Sequence, residues 1–215
     1  MPDELFKFYL LSCPYAKSDK SAAPAVSSLN LAENGWTGPK LHQLMQWISL
    51  QFIDENQKLA IHYLPLNDIT NVLKKQGLVG DTEPPATASI AYLSIANKLS
   101  LNEQGQCKLE LTETYITCLF RHIRNSLAHG NYQELDNSRV ALYDTSSKPG
   151  TAEKSKKYTF AMVTSIEFLQ KLMKLVSGKA PMNIREMTKD KRSIINSYRI
   201  KIDKSVIVED KRDET

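Results

Sequence analysis

The segment from Leu109 to Gly130 constrains the fold of this 215-residue chain more than any other part of it. Its apolar residues recur at three- and four-residue steps, the period of an amphipathic helix with one buried face. Gly130 follows the last of them, and glycine commonly ends helices. The pattern predicts a helix from about Leu109 to Ala128 whose opposite face is polar and cationic. The apolar residues of this stripe are Ile116, Leu119, Phe120, Ile123 and Leu127.

Other segments share the helical period, so the chain is expected to be mainly α. A proline near the start of the first segment fits the first turn of a helix. Ser165 and Gly178 are predicted to begin and end the last well-defined helix. The predicted helices cover residues 39–56, 90–99, 166–177 and 184–198, and a shorter helix is predicted to be capped by Asn67 or Asp68, to run through Leu73 and to end at Gly77.

Two segments change period and are rich in residues that favour strands, Arg139–Thr145 and Lys157–Thr164. The polar connector between them contains Pro149 and Gly150, which favour a turn. The sequence predicts a β-hairpin over about residues 138–164 with a long tip. A two-stranded hairpin is marginal alone in water, so it is expected to pack against the helices.

Composition excludes several classes of protein. A hydrophobic fraction of 41% and a charged fraction of 24% are ordinary for a globular domain. Acidic residues near the N-terminus argue against secretion, and no apolar stretch approaches the ~20 residues of a membrane helix, so we expect a cytoplasmic protein. Cys13, Cys107 and Cys118 are far apart with no C-x-x-C pair, which argues against disulfides and a zinc site. No metal and no cofactor are expected.

The modest net charge of +4 is unevenly distributed, with a basic stretch from Lys171 to Lys204. Such a stretch can bind a phosphate backbone by releasing counterions, and Lys189, Lys191 and Arg192 are the candidates for RNA contact. A solvated helix face without a partner explains the charge equally well. We assign residues 1–180 to a single helical domain and 181–215 to a basic, partly helical extension with a frayed tail.

The end of the main predicted helix carries the residues best suited to chemistry. Arg124 has a planar fork of donors for a phosphate, and His129 can move a proton near neutral pH. Asn125, beside the arginine, is suited to orient either group. Because RNA supplies its own nucleophile, the 2′-hydroxyl, these groups suffice in principle for metal-independent cleavage. An arginine and a histidine at a helix end also occur without any function.

Spacing sets a condition on this hypothesis. Arg124 and His129 are five positions apart and diverge by about 140° around one helix. Arg124 is expected at the edge of the apolar stripe, with Asn125 and His129 on the far side. Two copies of the helix meeting across a two-fold axis bring both sets into one cleft. A nuclease therefore implies a homodimer.

Neighbouring residues are weaker candidates for RNA binding. Arg121 and His122 are predicted on the same far side of the helix, where they can face RNA. Alternatively, His122 packs beside the dimer axis. Tyr132, just beyond the helix, is placed to stack on a base; the simpler interpretation is an aromatic side chain that seals the helix end.

The run from Leu119 to Gly130 resembles the signature helix of the HEPN superfamily (higher eukaryotes and prokaryotes nucleotide-binding). Its motif is an arginine, four to six residues and a histidine, often with Asn, His or Asp directly after the arginine. Arg124, Asn125 and His129 match it with the shortest gap. The following hairpin and helix resemble a plasmid- and defence-associated bacterial branch, and the resemblance covers about Thr112–Ser177.

The resemblance implies an antiparallel helical bundle, often dimeric, with the β-hairpin inserted before the last core helix. It also implies a metal-independent endoribonuclease that acts as a toxin or anti-phage effector, for which an antitoxin or defence-system protein is a candidate partner. Other members have lost cleavage and only bind RNA, a nucleotide or a protein. A purely structural dimer, with Arg124 and His129 buried and mutually satisfied, is a third alternative.

Overall fold

The computed structural model describes residues 1–14, 29–80, 84, 89–101, 107–136, 138–147, 152 and 155–178. Within these ranges the fold is mixed α/β. The helices are α1 (Asp3–Lys7), a π-helical turn (Phe8–Ser12), α2 (Gly38–Leu50), α3 (Thr70–Lys75), α4 (Tyr115–Ala128) and α5 (Ile166–Ser177). The strands are β1 (Ile61–Leu64), β2 (Ile90–Ser94), β3 (Asn97–Leu101), β4 (Cys107–Leu111), β5 (Tyr132–Glu134), β6 (Arg139–Thr145) and β7 (Tyr158–Ser165).

The predicted helical bundle is wrong, because a five-stranded sheet organises the described chain. Its order is β1-β2-β7-β6-β5, while β3 and β4 form a separate two-stranded sheet. β1 and β2 are parallel, and the other neighbours in the large sheet are antiparallel. The hairpin predicted over 138–164 is present as β6 and β7, but at the centre of this sheet rather than as an insertion in a bundle.

Two of the predicted helices account for the error. Residues 90–99 form β2 and part of β3, and residues 109–111 end β4 instead of opening a helix. The run Ile90–Leu93 is continuously apolar, and a short apolar run does not distinguish a buried strand from a buried helix. Helix α5 has the predicted bounds, whereas α2 ends at Leu50 rather than near Asn56.

The sheet separates two hydrophobic clusters. On one face the N-terminal segment, α2, α4 and α5 pack together against alternate strand residues, among them Leu93, Leu142 and Phe160. On the other face α3 packs over the intervening positions, such as Ala141 and Val163. Alternation of side chains along each strand divides the two layers in this way. α4 therefore lies on the same face of the sheet as α2 and α5, directly over β2, β7 and β6.

None of the described helices combines the length and apolar character needed to cross a membrane. The predicted helix at 184–198 and the basic residues Lys189, Lys191 and Arg192 lie outside the described ranges.

Candidate active site

Local hydrogen bonds fix both ends of α4. They thereby determine the positions of its polar residues. At the start, the Thr114 hydroxyl accepts from the Thr117 amide, and the Thr117 hydroxyl accepts from the Thr114 amide, a reciprocal capping box. At the end, the Asn131 amide donates to the Ser126 carbonyl at 2.8 Å. Gly130 permits this closure because its φ is +66°, a conformation that costs glycine little.

His122, in the middle of α4, is fully buried against the sheet. Its Nδ1 lies 2.8 Å from Oδ2 of Asp144, and its Nε2 lies 2.8 Å from the carbonyl oxygen of Ser94. Its ring stacks on Phe160, with the planes 5° apart. Phe160 and Asp144 are cross-strand partners on β7 and β6, so the imidazole covers both. α4 is thereby joined to three adjacent strands of the sheet at one side chain.

The surroundings of His122 determine where protons must lie. A carbonyl oxygen can only accept, so Nε2 carries a hydrogen that is donated to Ser94. The contact between Nδ1 and Asp144 then requires one more proton, held either by the imidazole or by the carboxyl group. The buried pair therefore shares a proton and is satisfied only as a pair.

Asn125 extends this network toward the surface. Its Nδ2 donates to the same Oδ2 of Asp144 at 3.0 Å, and its Oδ1 is 3.5 Å from a terminal guanidinium nitrogen of Arg124. On its other side Arg124 lies near the N-terminal segment: burial raises the pKa of the Cys13 thiol to about 12, while the charge of Arg124 acts to lower it. A series of contacts thus leads from Asp144 on the sheet through Asn125 to Arg124, which is partly exposed on α4.

Arg121 is held by a second carboxylate. Glu113 accepts from its Nε at 3.0 Å and from a terminal nitrogen at 2.6 Å, and that nitrogen also donates to the Ser94 carbonyl at 3.1 Å. Burial raises the pKa of Glu113, but hydrogen bonds from Arg121 and from the Ala96 amide lower it by a larger amount, so the pKa lies below its usual value. The bidentate pair fixes the N-terminal half of α4 against β2.

His129 is placed differently from the residues before it. It caps the C-terminus of α4 with φ −98° and ψ 4°, and its side chain is exposed. From helix geometry it diverges from Arg124 by about 140°. The three residues of the predicted motif are therefore at one end of α4, with Arg124 and Asn125 in contact and His129 turned away within a single protomer.

The structure changes the status of the predicted RNA contacts. His122 is not on the polar far side of the helix, and its burial with both nitrogens engaged rules out an RNA contact in this conformation. Arg121 is partly exposed, but its charge is matched by Glu113. Tyr132 opens β5, half-buried, with its ring 5.5 Å from that of Phe6 of α1 in an edge contact, so its aromatic face packs within the protomer.

Sequence reasoning missed Asp144 and Glu113. Asp144 shares a strand face with Val140 and Leu142, both fully buried. A carboxylate in the third position of such a series signals a buried polar partner. Cys118 and Ser126, four residues before and after His122, are also buried. Small residues at these positions indicate close approach of the helix to another element, which was a second available signal.

Among the described residues, no group of three or more His, Cys, Asp or Glu side chains is arranged to hold a metal ion. No family model, no curated protein and no solved structure matches this chain.

Proposed function

We propose that the protein is a metal-independent endoribonuclease that acts as a homodimer, with Arg124, Asn125 and His129 at its active site. The observation that carries the proposal is the end of α4: Arg124 is in contact with Asn125, and His129 is exposed one turn further on. These are the residues of the motif in which the sequence resembles the HEPN superfamily. The resemblance is limited to that motif and the elements after it, because the described residues form a mixed α/β fold in place of the bundle that it implies.

The reaction uses the nucleophile of the substrate itself. The 2′-oxygen forms a bond to the adjacent phosphorus, and the bond from phosphorus to the 5′-oxygen breaks. A proton passes from the 2′-hydroxyl to the leaving 5′-oxygen by way of His129. The guanidinium of Arg124 stabilises the charge that develops on the phosphoryl oxygens. The products are a 2′,3′-cyclic phosphate and a 5′-hydroxyl end.

The divergence of Arg124 and His129 on one helix is the reason for proposing a dimer. If two copies of α4 meet near their C-terminal ends, Arg124 of one protomer and His129 of its partner face one phosphodiester. The exposure of His129 is compatible with this arrangement, because an exposed imidazole is available to a second chain and to RNA. Each dimer then contains two composite sites.

The test is cleavage of end-labelled RNA in EDTA by the wild-type protein and the His129→Ala variant. We expect the wild type to leave 2′,3′-cyclic phosphate ends and the variant to lose nearly all activity, because the proton carrier is gone. The His42→Ala variant is the matched control, since His42 is an exposed histidine on α2, remote in sequence from the site. It should cleave at the wild-type rate.

Equal cleavage by the wild type and His129→Ala reveals a contaminating nuclease and contradicts the proposal, and absence of cleavage in both does the same. Circular dichroism of each variant checks that helicity is retained. Growth arrest on expression, relieved by His129→Ala, is expected if the ribonuclease acts as a toxin or anti-phage effector.

A second candidate function is a non-catalytic module that binds RNA, a nucleotide or a protein. It is favoured by one observation: Asn125 is engaged by Asp144 within its own protomer, as expected of a residue that stabilises the fold. Under this alternative RNA binds without being cut, and His129→Ala leaves the affinity nearly unchanged.

A further inference from the structure

We infer that Asp144 is a positioning residue for Arg124, acting through the carboxamide of Asn125. The inference rests on the proposed function, because Arg124 is there the group that stabilises the reacting phosphate. It names a residue on β6, outside the motif and outside α4, on which the geometry of the site depends. Three contacts carry it: His122 to Asp144, Asn125 to Asp144, and Arg124 to Asn125.

Asp144 can accept a hydrogen bond from Asn125 wherever its shared proton lies. Its carboxyl group is almost fully buried, with 4% of the residue exposed. Oδ2 receives Nδ2 of Asn125 whether the proton shared with His122 lies on the imidazole or on the carboxyl group, because Oδ2 has lone pairs available in both cases. Arg121 also contributes positive charge near Asp144. The interaction with Asn125 is thus independent of the position of the proton.

The contacts of Asn125 fix the orientation of its carboxamide. Because Nδ2 of Asn125 is committed to Asp144, Oδ1 must point the other way, toward the guanidinium of Arg124. At 3.5 Å the contact is long, and its main effect is to present the negative end of the amide dipole to a cation. A reversed carboxamide places its oxygen against the carboxyl group of Asp144 and its NH₂ against Arg124. Both contacts are then unfavourable.

The substitution Asp144→Asn should reverse the carboxamide of Asn125 without changing the size of the side chain at position 144. In Asp144→Asn no carboxyl group remains to share the second proton, so His122 keeps the hydrogen on Nε2 that it donates to Ser94, and its Nδ1 accepts from the introduced amide. That amide nitrogen then faces Asn125, which has to turn its oxygen inward to accept. The NH₂ group of Asn125 now faces Arg124, donor against donor, and the guanidinium is displaced.

The second substitution in the series restores the original polarity. In the double variant Asp144→Asn/Asn125→Asp, the introduced carboxylate accepts from the amide at 144 and from Arg124. Cys118→Ala is the matched control for damage to packing. Cys118 is buried on the same face of α4 as His122, and its thiol is 3.4 Å from the Ser94 carbonyl oxygen. It makes no hydrogen bond to Asn125.

The experiment measures kcat and KM for RNA cleavage in EDTA for these variants. We expect Asp144→Asn to lower kcat by about 100-fold with KM nearly unchanged, as a displacement of about 1 Å of a catalytic group does. The double variant should recover most of the lost kcat, and Cys118→Ala should keep the wild-type kcat. An Asp144→Asn variant as active as Cys118→Ala overturns the inference.

A second readout, taken without RNA, separates this inference from the proposed function. In ¹H–¹⁵N spectra, the side-chain resonances of the Asn125 amide and of the Arg124 guanidinium should shift in Asp144→Asn. In the double variant, the Arg124 resonances should return toward their wild-type positions. If the wild type does not cleave RNA, the proposed function fails and these spectra alone decide on positioning. Unchanged Arg124 resonances in Asp144→Asn refute the inference.

Discussion

Removal of the Asp144 carboxyl group should be among the most damaging single changes in the described chain. In Asp144→Ala, His122 Nδ1 loses its partner at 2.8 Å and Asn125 Nδ2 loses its partner at 3.0 Å, while the imidazole remains fully buried. Loss of one member of a buried, hydrogen-bonded ionisable pair costs about 3–5 kcal/mol. That is a large fraction of the roughly 5–15 kcal/mol that stabilises a typical domain.

Urea denaturation followed by circular dichroism measures this loss. The control is Asp3→Ala, at an exposed aspartate in the first turn of α1, which should leave the midpoint close to wild type. His122→Phe combined with Asp144→Leu should lose less than the sum of the two single changes, because no member of the pair is left buried without the other. A loss below about 1 kcal/mol for Asp144→Ala refutes the account of the buried pair.

The remaining predictions concern the charge of Glu113, the planar guanidinium group of Arg124 and the glycine that ends α4. The pKa of Glu113 is lowered in the folded state. Its contribution to stability is therefore present above its unfolded pKa and disappears as the pH falls through the folded value. Urea unfolding at decreasing pH should show a shallower loss of stability for Glu113→Gln than for the wild type. Arg124→Lys keeps the charge but not the planar fork, so RNA cleavage assays should give a reduced kcat. Gly130→Ala should cost about 1 kcal/mol in thermal or urea unfolding, because φ at +66° is strained for alanine even though its methyl group meets no atom within 4 Å; an unchanged midpoint contradicts this.

The parts of the fold that were predictable are those set by local interactions. Helix α5 begins at Ile166, is capped by Ser165, whose hydroxyl accepts from the Phe168 amide, and ends before Gly178. Helix α4 ends beside Gly130 for reasons visible in the sequence. Its start was misplaced because Leu109–Leu111 continues the apolar pattern, although these residues pair with β3. The capping box at Thr114 determines the actual start.

Apart from the hairpin of β6 and β7, the sheet was not predicted from the sequence, because β1 and β2 depend on partners distant in sequence. Strand β1 is only four residues long and pairs with β2 about thirty residues later. The candidate site shows the same limit. Arg124, Asn125 and His129 are local in sequence and were identified from it, but the interaction of His122 with Asp144 depends on which strand α4 covers.

We propose that Arg124 and His129 act on one phosphodiester from different protomers, and mixing of inactive variants tests this arrangement most directly. Arg124→Ala and His129→Ala are unfolded together, refolded at equal concentration and assayed for RNA cleavage in EDTA beside each variant alone. Half of the resulting dimers are mixed, and each has one of its two composite sites intact, so about a quarter of the wild-type activity should return. If the mixture is as inactive as either variant alone while the mixed dimer is shown to form, the composite site does not exist.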